Sequence, residues 1–368
     1  MNVLILGGGQ LARMLILAAA PLGIRCQVVD PAAESCAADL APWHRMAWDE
    51  VLVRRDLLDW ADVITYESES VPCALLTALA TQHKVAPSAE ALQLSGDRWH
   101  EKQWLSRLGV PVAPHRCIDS LADLQAATAE LGFPCFLKWR QQGYDGKGQW
   151  RLNAHSDLAS IWQAAQQRPS ILEAGIAFTR EVSLIASRRA GGELVCYPLT
   201  ENRHQQGILI HSRPLADDPL QAAAEAHARR LMQAVDYVGT LAIEFFVVDE
   251  QLMANEVAPR VHNSGHWTIE GAETSQFANH LRAICDWPLG STRLLAPTLM
   301  LNLIGQWPSE ALTLAERGAH LHLYGKAPRP GRKVGHLTLR ARSEGELMSH
   351  WLRLQPLLPR SEQPSSSE

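Results

Sequence analysis

The sequence lacks the cysteine spacing of a disulfide framework. Its seven cysteines are scattered along the chain, they form no Cys-x-x-Cys pair, and their number is odd. Isolated thiols of this kind are typical of proteins that stay reduced inside the cell. We therefore expect free cysteines and a cytoplasmic protein.

The chain also lacks an excess of basic residues and a long apolar run. Its formal net charge is −5, with 20% charged and 46% hydrophobic residues, so no positive field would attract nucleic acid. The first residues run into a glycine turn without the basic start and apolar stretch of a signal peptide, and no segment approaches membrane-spanning length. We predict a globular protein that binds neither nucleic acid nor membranes.

The length of 368 residues is sufficient for two or three domains. Short apolar segments alternate with helical ones over 1–95, which predicts a Rossmann-like parallel sheet, and a helix-like stretch at 91–108 then ends at prolines. A small α/β unit at about 110–175 and a larger antiparallel sheet with helices at about 176–290 follow. The domains expected from these patterns are 1–95, 96–290 and 291–360, before a disordered polar tail at 361–368.

A first glycine loop, Gly7-Gly8-Gly9-Gln10-Leu11-Ala12, follows a predicted strand and opens a helix. It meets the Gly-x-Gly-x-x-Ala form of the dinucleotide fingerprint, with Asp30 at the end of the next strand. Because a tight strand-to-helix turn requires glycine with or without a ligand, nicotinamide binding, binding of another anion and a purely structural role all remain open. Glu67 and Glu69 follow another strand, where ligands bind in open α/β sheets, and are weaker candidates.

A second glycine loop, Gly143-Tyr144-Asp145-Gly146-Lys147-Gly148-Gln149, lies between two predicted strands; we call it the lid loop. Its three glycines allow backbone amides to converge on a phosphate, and its position differs from that of a Walker loop, which opens a helix. Lys138, in the apolar strand before it, must reach solvent or meet an anion. We predict a mobile hairpin over a nucleotide, with a merely flexible hairpin tip as the alternative.

An acidic pair occurs on a predicted hairpin. If residues 249–251 form a three-residue loop, then residues whose numbers add to 500 face each other, and Glu244 lies opposite Glu256 at a Cβ separation of about 5 Å. Two such carboxylates among apolar neighbours repel unless one is protonated or a cation bridges them. Magnesium with a bound phosphate suits this pair, and Asn255 could supply another oxygen. In the alternative, the register slips and the acids face solvent.

With these residues in place, the sequence closely resembles the 5-(carboxyamino)imidazole ribonucleotide synthase family of the ATP-grasp superfamily. The resemblance covers nearly the whole chain and is most specific at the lid loop, at Asn255–His266 and at Arg329–His336. It implies an α/β and α+β architecture, namely an ATP-grasp fold with an N-terminal Rossmann-like domain and a small C-terminal domain. It also implies a reaction of ATP, bicarbonate and 5-aminoimidazole ribonucleotide, through carboxyphosphate, in purine synthesis.

The resemblance also implies which residues bind ATP and magnesium. Phosphates would be held by Arg98, Lys138, Gly143, Tyr144, Asp145, Gly146, Lys147, Gly148 and Gln149. Backbone groups of Glu173, Ala174, Gly175 and Ile176 would read adenine, Glu181 would take the ribose hydroxyls, and His204 would lie near the nucleotide. Magnesium would be held by Glu244 and Glu256, with Asn255 beside them.

The remaining implied residues concern the carboxylated substrate. Arg260, with His262 and Asn263 near it, would hold bicarbonate and its phosphorylated form. The ribonucleotide would meet Tyr144 and Asp145 at the lid loop and Arg260, while the basic group Lys326, Arg332 and Lys333 would hold its 5′-phosphate; a solvated basic turn is the alternative. A homodimer is expected from the family.

Other functions remain as alternatives. His262 and His266 have a zinc-like spacing, but no third ligand lies close in sequence, so we do not predict zinc. A different ATP-grasp ligase, such as a formate-dependent glycinamide ribonucleotide transformylase or a biotin carboxylase, would share the lid loop and the acidic pair but not the run Arg329–Lys333. An NAD-dependent dehydrogenase and a nucleotide-binding regulator without turnover are the other two classes.

Overall fold

A computed structural model of the chain describes residues 1–141, 143 and 148–358. The N-terminal unit begins with a strand, a glycine turn and a helix, as the sequence predicts. Its elements are β1 (Asn2–Leu6), α1 (Gln10–Ala19), β2 (Arg25–Val29), β3 (Trp43–His44), α2 (Arg55–Trp60), β4 (Val63–Tyr66) and α3 (Cys73–Ala80). The strands form a parallel sheet in the order β3-β2-β1-β4, so the predicted parallel sheet is confirmed.

The predicted helix-like stretch at 91–108 is wrong as one helix. Two helices, α4 (Ala89–Ser95) and α5 (Arg98–Arg107), meet at Gly96 and Asp97. The Asp97 carboxylate accepts hydrogen bonds from the amides of Trp99 and His100, so it caps α5. The Asp97 cap therefore fixes where α5 begins. Because Arg98 is the first residue of α5, the cap also fixes the position of Arg98 on the helix.

The small α/β unit follows; we call it the lid unit. Its elements are β5 (His115–Ile118), α6 (Leu121–Leu131), β6 (Cys135–Trp139), β7 (Gln149–Leu152), α7 (Leu158–Ala164) and β8 (Ser170–Ala174). The antiparallel sheet has the order β5-β8-β6-β7, and an apolar core lies between it and the two helices. The predictions for Tyr144, Asp145, Gly146 and Lys147, at the tip between β6 and β7, and for the tail 361–368 lie outside the described residues.

The third unit is built on a large antiparallel sheet, as predicted. Its elements are β9 (Arg180–Arg188), β10 (Leu194–Cys196), β11 (Thr200–Gln205), β12 (Ile208–Pro214), α8 (Gln221–Ala234), β13 (Gly239–Val248), β14 (Gln251–Ala258), α9 (Thr268–Gly271) and α10 (Gln276–Ile284). A core that includes residues of α8 covers one face of β9 and β13, and Trp267 packs on the other face.

The C-terminal segment continues this sheet instead of forming a separate one. Its elements are β15 (Thr298–Ile304), α11 (Glu310–Leu314), β16 (Ala319–Leu323), β17 (Lys333–Arg340) and α12 (Glu344–Leu354). The strand order is β14-β13-β9-β11-β12-β15-β17-β16, with β10 paired to β9, so β15 extends the sheet beyond β12. Among the described residues, no helix has both the length and the apolar character to cross a bilayer.

Candidate active site

The β13–β14 hairpin brings the two predicted metal carboxylates together by a route different from the predicted one. The loop has two residues, Asp249 and Glu250, both with positive φ, so Val248 pairs with Gln251. The predicted three-residue loop is therefore wrong. A bulge opposite the Glu244–Phe245 step then leaves Asn255 as one extra residue in β14, and Glu244 faces Glu256. Opposite residues of an antiparallel pair share one face, so the predicted pairing is confirmed.

The two carboxylates have different electrostatic surroundings. Burial raises the pKa of Glu244, and the negative charge of Glu256 raises it further. Burial also opposes ionisation of Glu256, but the positive charges of Arg98, Lys138 and Arg260, with Arg98 contributing most, together lower the pKa of Glu256. Without a cation, the pair is best described as one ionised and one proton-binding carboxylate.

Arg98, the first residue of α5, connects the acidic pair with the base of the lid loop. Its Nη1 donates to Glu256 Oε2 at 3.1 Å, and its Nη2 donates to the Gly143 carbonyl at 3.4 Å. Its side chain is 20% exposed, so one edge of the guanidinium is open to a ligand. Arg98 thus lies where phosphate oxygens, the metal carboxylates and the lid loop would meet.

Lys138 meets an anion, and the anion is a carboxylate of the chain itself. Its Nζ lies 3.0 Å from Glu173 Oε2 on the neighbouring strand β8, and the buried Lys102 lies 3.8 Å from the same oxygen. Burial opposes ionisation of Glu173, but the two ammonium groups, together with the charge of Arg98, lower its pKa to about 2. Glu173 is thus ionised and keeps both lysines in place, while Lys138 remains 12% exposed.

The linker from the lid unit to the large sheet follows Glu173. The Ala174 amide donates to the Pro114 carbonyl at 2.9 Å, and the Gly175 amide donates to the Pro134 carbonyl at 2.8 Å. A Cβ on Gly175 would approach that carbonyl oxygen to 2.5 Å, so the close path requires glycine. These contacts hold the predicted adenine segment, which continues to Ile176, against the edge of the lid unit.

Glu181 and His204 lie next to each other at the start of the large sheet. His204 Nδ1 is 2.6 Å from Glu181 Oε2, and this carboxylate contributes to a raised pKa of His204 against the effect of burial. A cavity of about 490 Å³ opens beside them and extends to Trp351 on α12, away from Glu244. The structure thus brings these two predicted nucleotide residues together.

The segment after β14 places Arg260, His262 and Asn263. Arg260 Nη2 lies 2.8 Å from Glu69 Oε1 of the N-terminal unit. His262 Nε2 lies 3.6 Å from Glu244 Oε1, and burial together with the charge of Arg260 lowers its pKa, so its imidazole is neutral. Both side-chain polar atoms of Asn263 are buried without a hydrogen-bond partner among the described residues, which is the property of a site awaiting a polar ligand.

Gln276 is a residue that the sequence did not reveal. Its buried side chain accepts from the His262 amide at 2.9 Å and donates to the His262 carbonyl at 2.6 Å. It therefore holds the backbone of this segment in place. Its position at the start of α10, 14 residues further along the chain, offers no local signal.

Two backbone amides of the first glycine loop already donate hydrogen bonds to carboxylates of the same chain. The Gly8 amide donates to Asp30, and the Gly9 amide donates to Glu67 Oε1 at 2.9 Å. A Cβ on Gly9 would approach this carboxylate oxygen to 2.8 Å, so the glycine is required by a close approach. These contacts favour the structural interpretation of the loop over anion binding by these two amides.

The basic group from the C-terminal segment reaches the same edge of the N-terminal unit. Lys326 Nζ donates to Gln10 Oε1 at 2.6 Å, and Arg332 lies 3.6 Å from Glu34. Lys333 begins β17. These residues thus lie at the side of the site formed by the N-terminal unit, whereas Arg98 and Lys138 lie at the side of the lid unit.

Three domain families match the chain in order. They are described as the ribonucleotide synthetase preATP-grasp domain over 1–96, the ATP-grasp domain over 103–277, and the phosphoribosylaminoimidazole carboxylase C-terminal domain over 298–350.

Relatives match over nearly the full length. The N5-carboxyaminoimidazole ribonucleotide synthase of Pseudomonas aeruginosa is 47% identical over 97% of this chain and 99% of its own, and that of Escherichia coli is 40% identical over 97% and 95%. The crystal structure of the Thermus thermophilus synthetase has a TM-score of 0.92 at 45% identity, covering 98% of this chain and 99% of its own.

A structure from Aspergillus clavatus, in complex with ADP and 5-aminoimidazole ribonucleotide, has a TM-score of 0.86 at 33% identity, with 97% of both chains covered. Identity at this level over such coverage, together with three matching domains in the same order, confirms the resemblance seen in the sequence. This chain belongs to the N5-carboxyaminoimidazole ribonucleotide synthase family, ATP-dependent carbon–nitrogen ligases of purine biosynthesis built on the ATP-grasp fold.

Proposed function

We propose that different groups of the described residues bind the three substrates of the family reaction, the ATP-dependent carboxylation of 5-aminoimidazole ribonucleotide by bicarbonate. One side of the site, with Arg98 and Lys138, handles phosphate. The opposite side, with Lys326 and Arg332, holds the ribonucleotide. Asn263 lies with His262 on the segment after β14, and its unsatisfied amide is the observation that carries the assignment of the bicarbonate position.

Glu244 and Glu256 fit a magnesium ion. They face each other on adjacent strands, and burial together with their repulsion raises the pKa of Glu244, an effect that a bound divalent cation would oppose. Asn255, next to Glu256 in the chain, has its Oδ1 buried without a hydrogen-bond partner among the described residues, so a third oxygen is available to the ion or its water shell. Magnesium held there would neutralise charge on the transferred phosphoryl group.

Arg98 and Lys138 are proposed to hold the phosphates of ATP. Each is already oriented by a carboxylate, Arg98 by Glu256 and Lys138 by Glu173, so little reorganisation is needed when phosphate arrives. Gly143, Gly148 and Gln149 belong to the same assignment, and Tyr144–Lys147 complete it as a prediction from the resemblance.

The adenosine end is proposed to lie between the linker and the large sheet. The linker Glu173–Ile176 follows β8 at the edge of the lid unit, and Glu181 lies at the start of β9 with His204 against it. The His204 ring orients one carboxylate oxygen of Glu181, which leaves the other oxygen for the ribose hydroxyls.

Bicarbonate is proposed to bind between Arg260, His262 and Asn263. An Asn amide offers one donor and one acceptor side, which matches an anion that carries both a hydroxyl and carboxylate oxygens. The guanidinium of Arg260 supplies the positive charge, and Glu69 holds its orientation. Because His262 is neutral, it can accept or donate one hydrogen bond without adding repulsion to the metal side.

The ribonucleotide is proposed to bind with its 5′-phosphate at Lys326, Arg332 and Lys333. Lys326 and Arg332 contact Gln10 and Glu34 of the N-terminal unit, so the phosphate side of the substrate would lie where the first and last units of the chain meet. A homodimer and a cytoplasmic location remain our expectations for the whole protein. Light scattering of the purified chain and cell fractionation test them.

The experiment is an ADP-release assay on the purified protein with magnesium and ATP. The rate should rise sharply only when bicarbonate and 5-aminoimidazole ribonucleotide are both present, and it should not depend on a nicotinamide or on formate. A rate independent of the ribonucleotide would refute the assignment. Asn263→Ala should raise the bicarbonate concentration needed for half-maximal rate, whereas Asn153→Ala, at an exposed turn of the lid unit, should not.

A further inference from the structure

The strand that carries Glu256 is the outermost strand of the large sheet. β14 pairs with β13 on one side, and on its other side the described residues form only an isolated parallel bridge between Ala254 and Val112, with the Ala254 amide donating to the Pro111 carbonyl at 2.7 Å. The bulge adds one more unpaired residue at Asn255. Exposed edges and bulges are places where a strand can change its register, so the position of Glu256 needs support from outside the sheet.

Helix α5 supplies this support through two adjacent side chains. Lys102 Nζ donates to the Asn255 carbonyl at 2.7 Å and to the Ala254 carbonyl at 3.2 Å. The Glu101 carboxylate accepts from the Val257 amide at 2.6 Å. The two side chains thus take up backbone groups directly before and directly after Glu256.

The pair is buried to a degree that is unusual for charged residues. Lys102 is 1% exposed and Glu101 is 2% exposed. Burying such groups costs free energy unless hydrogen bonds and opposite charges compensate. Here hydrogen bonds and charge compensate for the burial. The Lys102 ammonium donates to two carbonyls and lies 3.8 Å from Glu173, and the Glu101 carboxylate accepts from an amide.

The residues of α5 that hold the backbone of β14 lie on the same helix face as Arg98. Arg98, Glu101 and Lys102 are three and four residues apart, which places them on one helix face, and all three contact β14. Arg98 contacts the Glu256 side chain, whereas the other two contact only its neighbours' backbone. The helix face therefore determines both where Glu256 lies and what charge it meets.

We propose that Glu101 and Lys102 are positioning residues for the metal carboxylates, which hold the bulge at Asn255 so that Glu256 stays on the face of Glu244. If the bulge were lost, β14 would pair in the register of its two-residue loop, and Glu244 would face Asn255. Because side chains alternate along a strand, Glu256 would then point to the opposite face. This inference rests on the proposed role of the acidic pair.

The experiment measures magnesium affinity directly by calorimetry and, alongside it, how the ADP-release rate depends on magnesium concentration at saturating ATP, bicarbonate and ribonucleotide. Lys102→Met removes the donor at nearly the same side-chain length, and Glu101→Leu removes the acceptor. Substitutions of groups that orient metal ligands typically change metal affinity by about 10–100-fold. We expect both variants to raise the half-saturating magnesium concentration by roughly tenfold or more and to lower kcat, with the KM for the ribonucleotide unchanged.

Glu101→Gln keeps an oxygen for the Val257 amide, so its effect on magnesium dependence should be much smaller than that of Glu101→Leu. Lys84→Met, at an exposed lysine of the N-terminal unit, is the matched control for Lys102→Met. If Lys102→Met does not fold, the comparison of Glu101→Leu with Glu101→Gln decides. Equal magnesium dependence in these two variants, or a change in melting temperature alone, overturns the inference.

A variant of Glu256 separates this inference from the proposed function. If Glu256→Gln leaves the magnesium dependence unchanged, then the assignment of the metal site is wrong. If Glu256→Gln weakens it while folded Lys102→Met and Glu101→Leu keep the wild-type dependence, then only the positioning role is wrong.

Discussion

Replacing Glu173 by glutamine tests the charge arrangement beneath the phosphate-binding lysines. The wild-type carboxylate is 4% exposed and lies 3.0 Å from Lys138 and 3.8 Å from Lys102. Glutamine has nearly the same shape, so the substitution removes the charge and leaves the packing. The two ammonium groups would then lose the carboxylate that both of them contact.

The expected loss of stability can be worked out in two ways. Against the opposing effect of burial, the positive charges of Lys102, Lys138 and Arg98 lower the pKa of Glu173 from 4.5 to about 2, a net change that corresponds to roughly 3 kcal/mol of folding free energy. Removing one partner of a buried ion pair costs about 3–5 kcal/mol in general. The two figures agree, so we expect a loss of roughly 3 kcal/mol and a fall in melting temperature of roughly 5–10 °C.

The sign of the pH dependence follows from the depressed pKa. The contribution of Glu173 is fully present above the unfolded pKa of about 4.5 and is lost as the pH falls toward about 2. Melting curves of the wild type and Glu173→Gln should therefore differ most near neutral pH, and the difference should shrink as the pH is lowered from about 6 to about 3.

The matched control is Glu130→Gln in the same lid unit. Glu130 pairs with Arg116, but both side chains are about half exposed, so little measurable change is expected. Equal losses for Glu173→Gln and Glu130→Gln would refute the reasoning. A loss for Glu173→Gln that does not vary with pH would show that packing, not charge, is responsible.

Three further results are expected from the same site. Glu256→Gln should lower kcat by roughly 100-fold or more with a much smaller effect on the melting temperature, because a metal ligand is lost while relief of the repulsion with Glu244 partly offsets the lost ion pair with Arg98; steady-state ADP release and thermal melting measure this. Lys326→Met should raise the KM for the ribonucleotide but not for ATP in the same assay. Magnesium affinity, measured by calorimetry, should weaken as the pH falls from about 8 to about 6, because the raised pKa of Glu244 lets a proton compete with the ion; a pH-independent affinity would contradict this.

Elements with an apolar pattern could be predicted closely from the sequence. The apolar strand predicted to contain Lys138 is β6, Cys135–Trp139, because an apolar run there lies between a proline and a polar loop. The N-terminal parallel sheet was predictable for the same reason, since β1 and β4 are almost entirely buried. Such strands are defined by their own residues, so local pattern is sufficient.

Strands β11 and β12 could not be predicted in this way. On β11, the buried position Asn202 donates to Ser183 Oγ at 2.9 Å and accepts from Ser212 Oγ at 2.7 Å. The interior between these strands is thus a polar network, and the alternation of apolar and polar residues that marks a half-buried strand is missing. The addition of β15 to β12 was equally hidden, because pairing between distant segments leaves no local pattern.

The pairing of Glu244 with Glu256 was predicted correctly although the predicted loop was one residue too long, because the bulge in β14 compensates for the shorter loop. A three-residue loop and a two-residue loop followed by a one-residue bulge place Glu244 opposite the same partner, but only the second is present. The loop residues Asp249 and Glu250 both adopt positive φ without the glycine or asparagine that normally signals such a turn. The bulge depends on Glu101 and Lys102, which lie more than 150 residues earlier in the chain. Local reasoning could thus find which residues meet, whereas the means by which they are held together belongs to the tertiary structure. A Lys102 variant that keeps its fold but needs more magnesium for its half-maximal rate would separate these two levels experimentally.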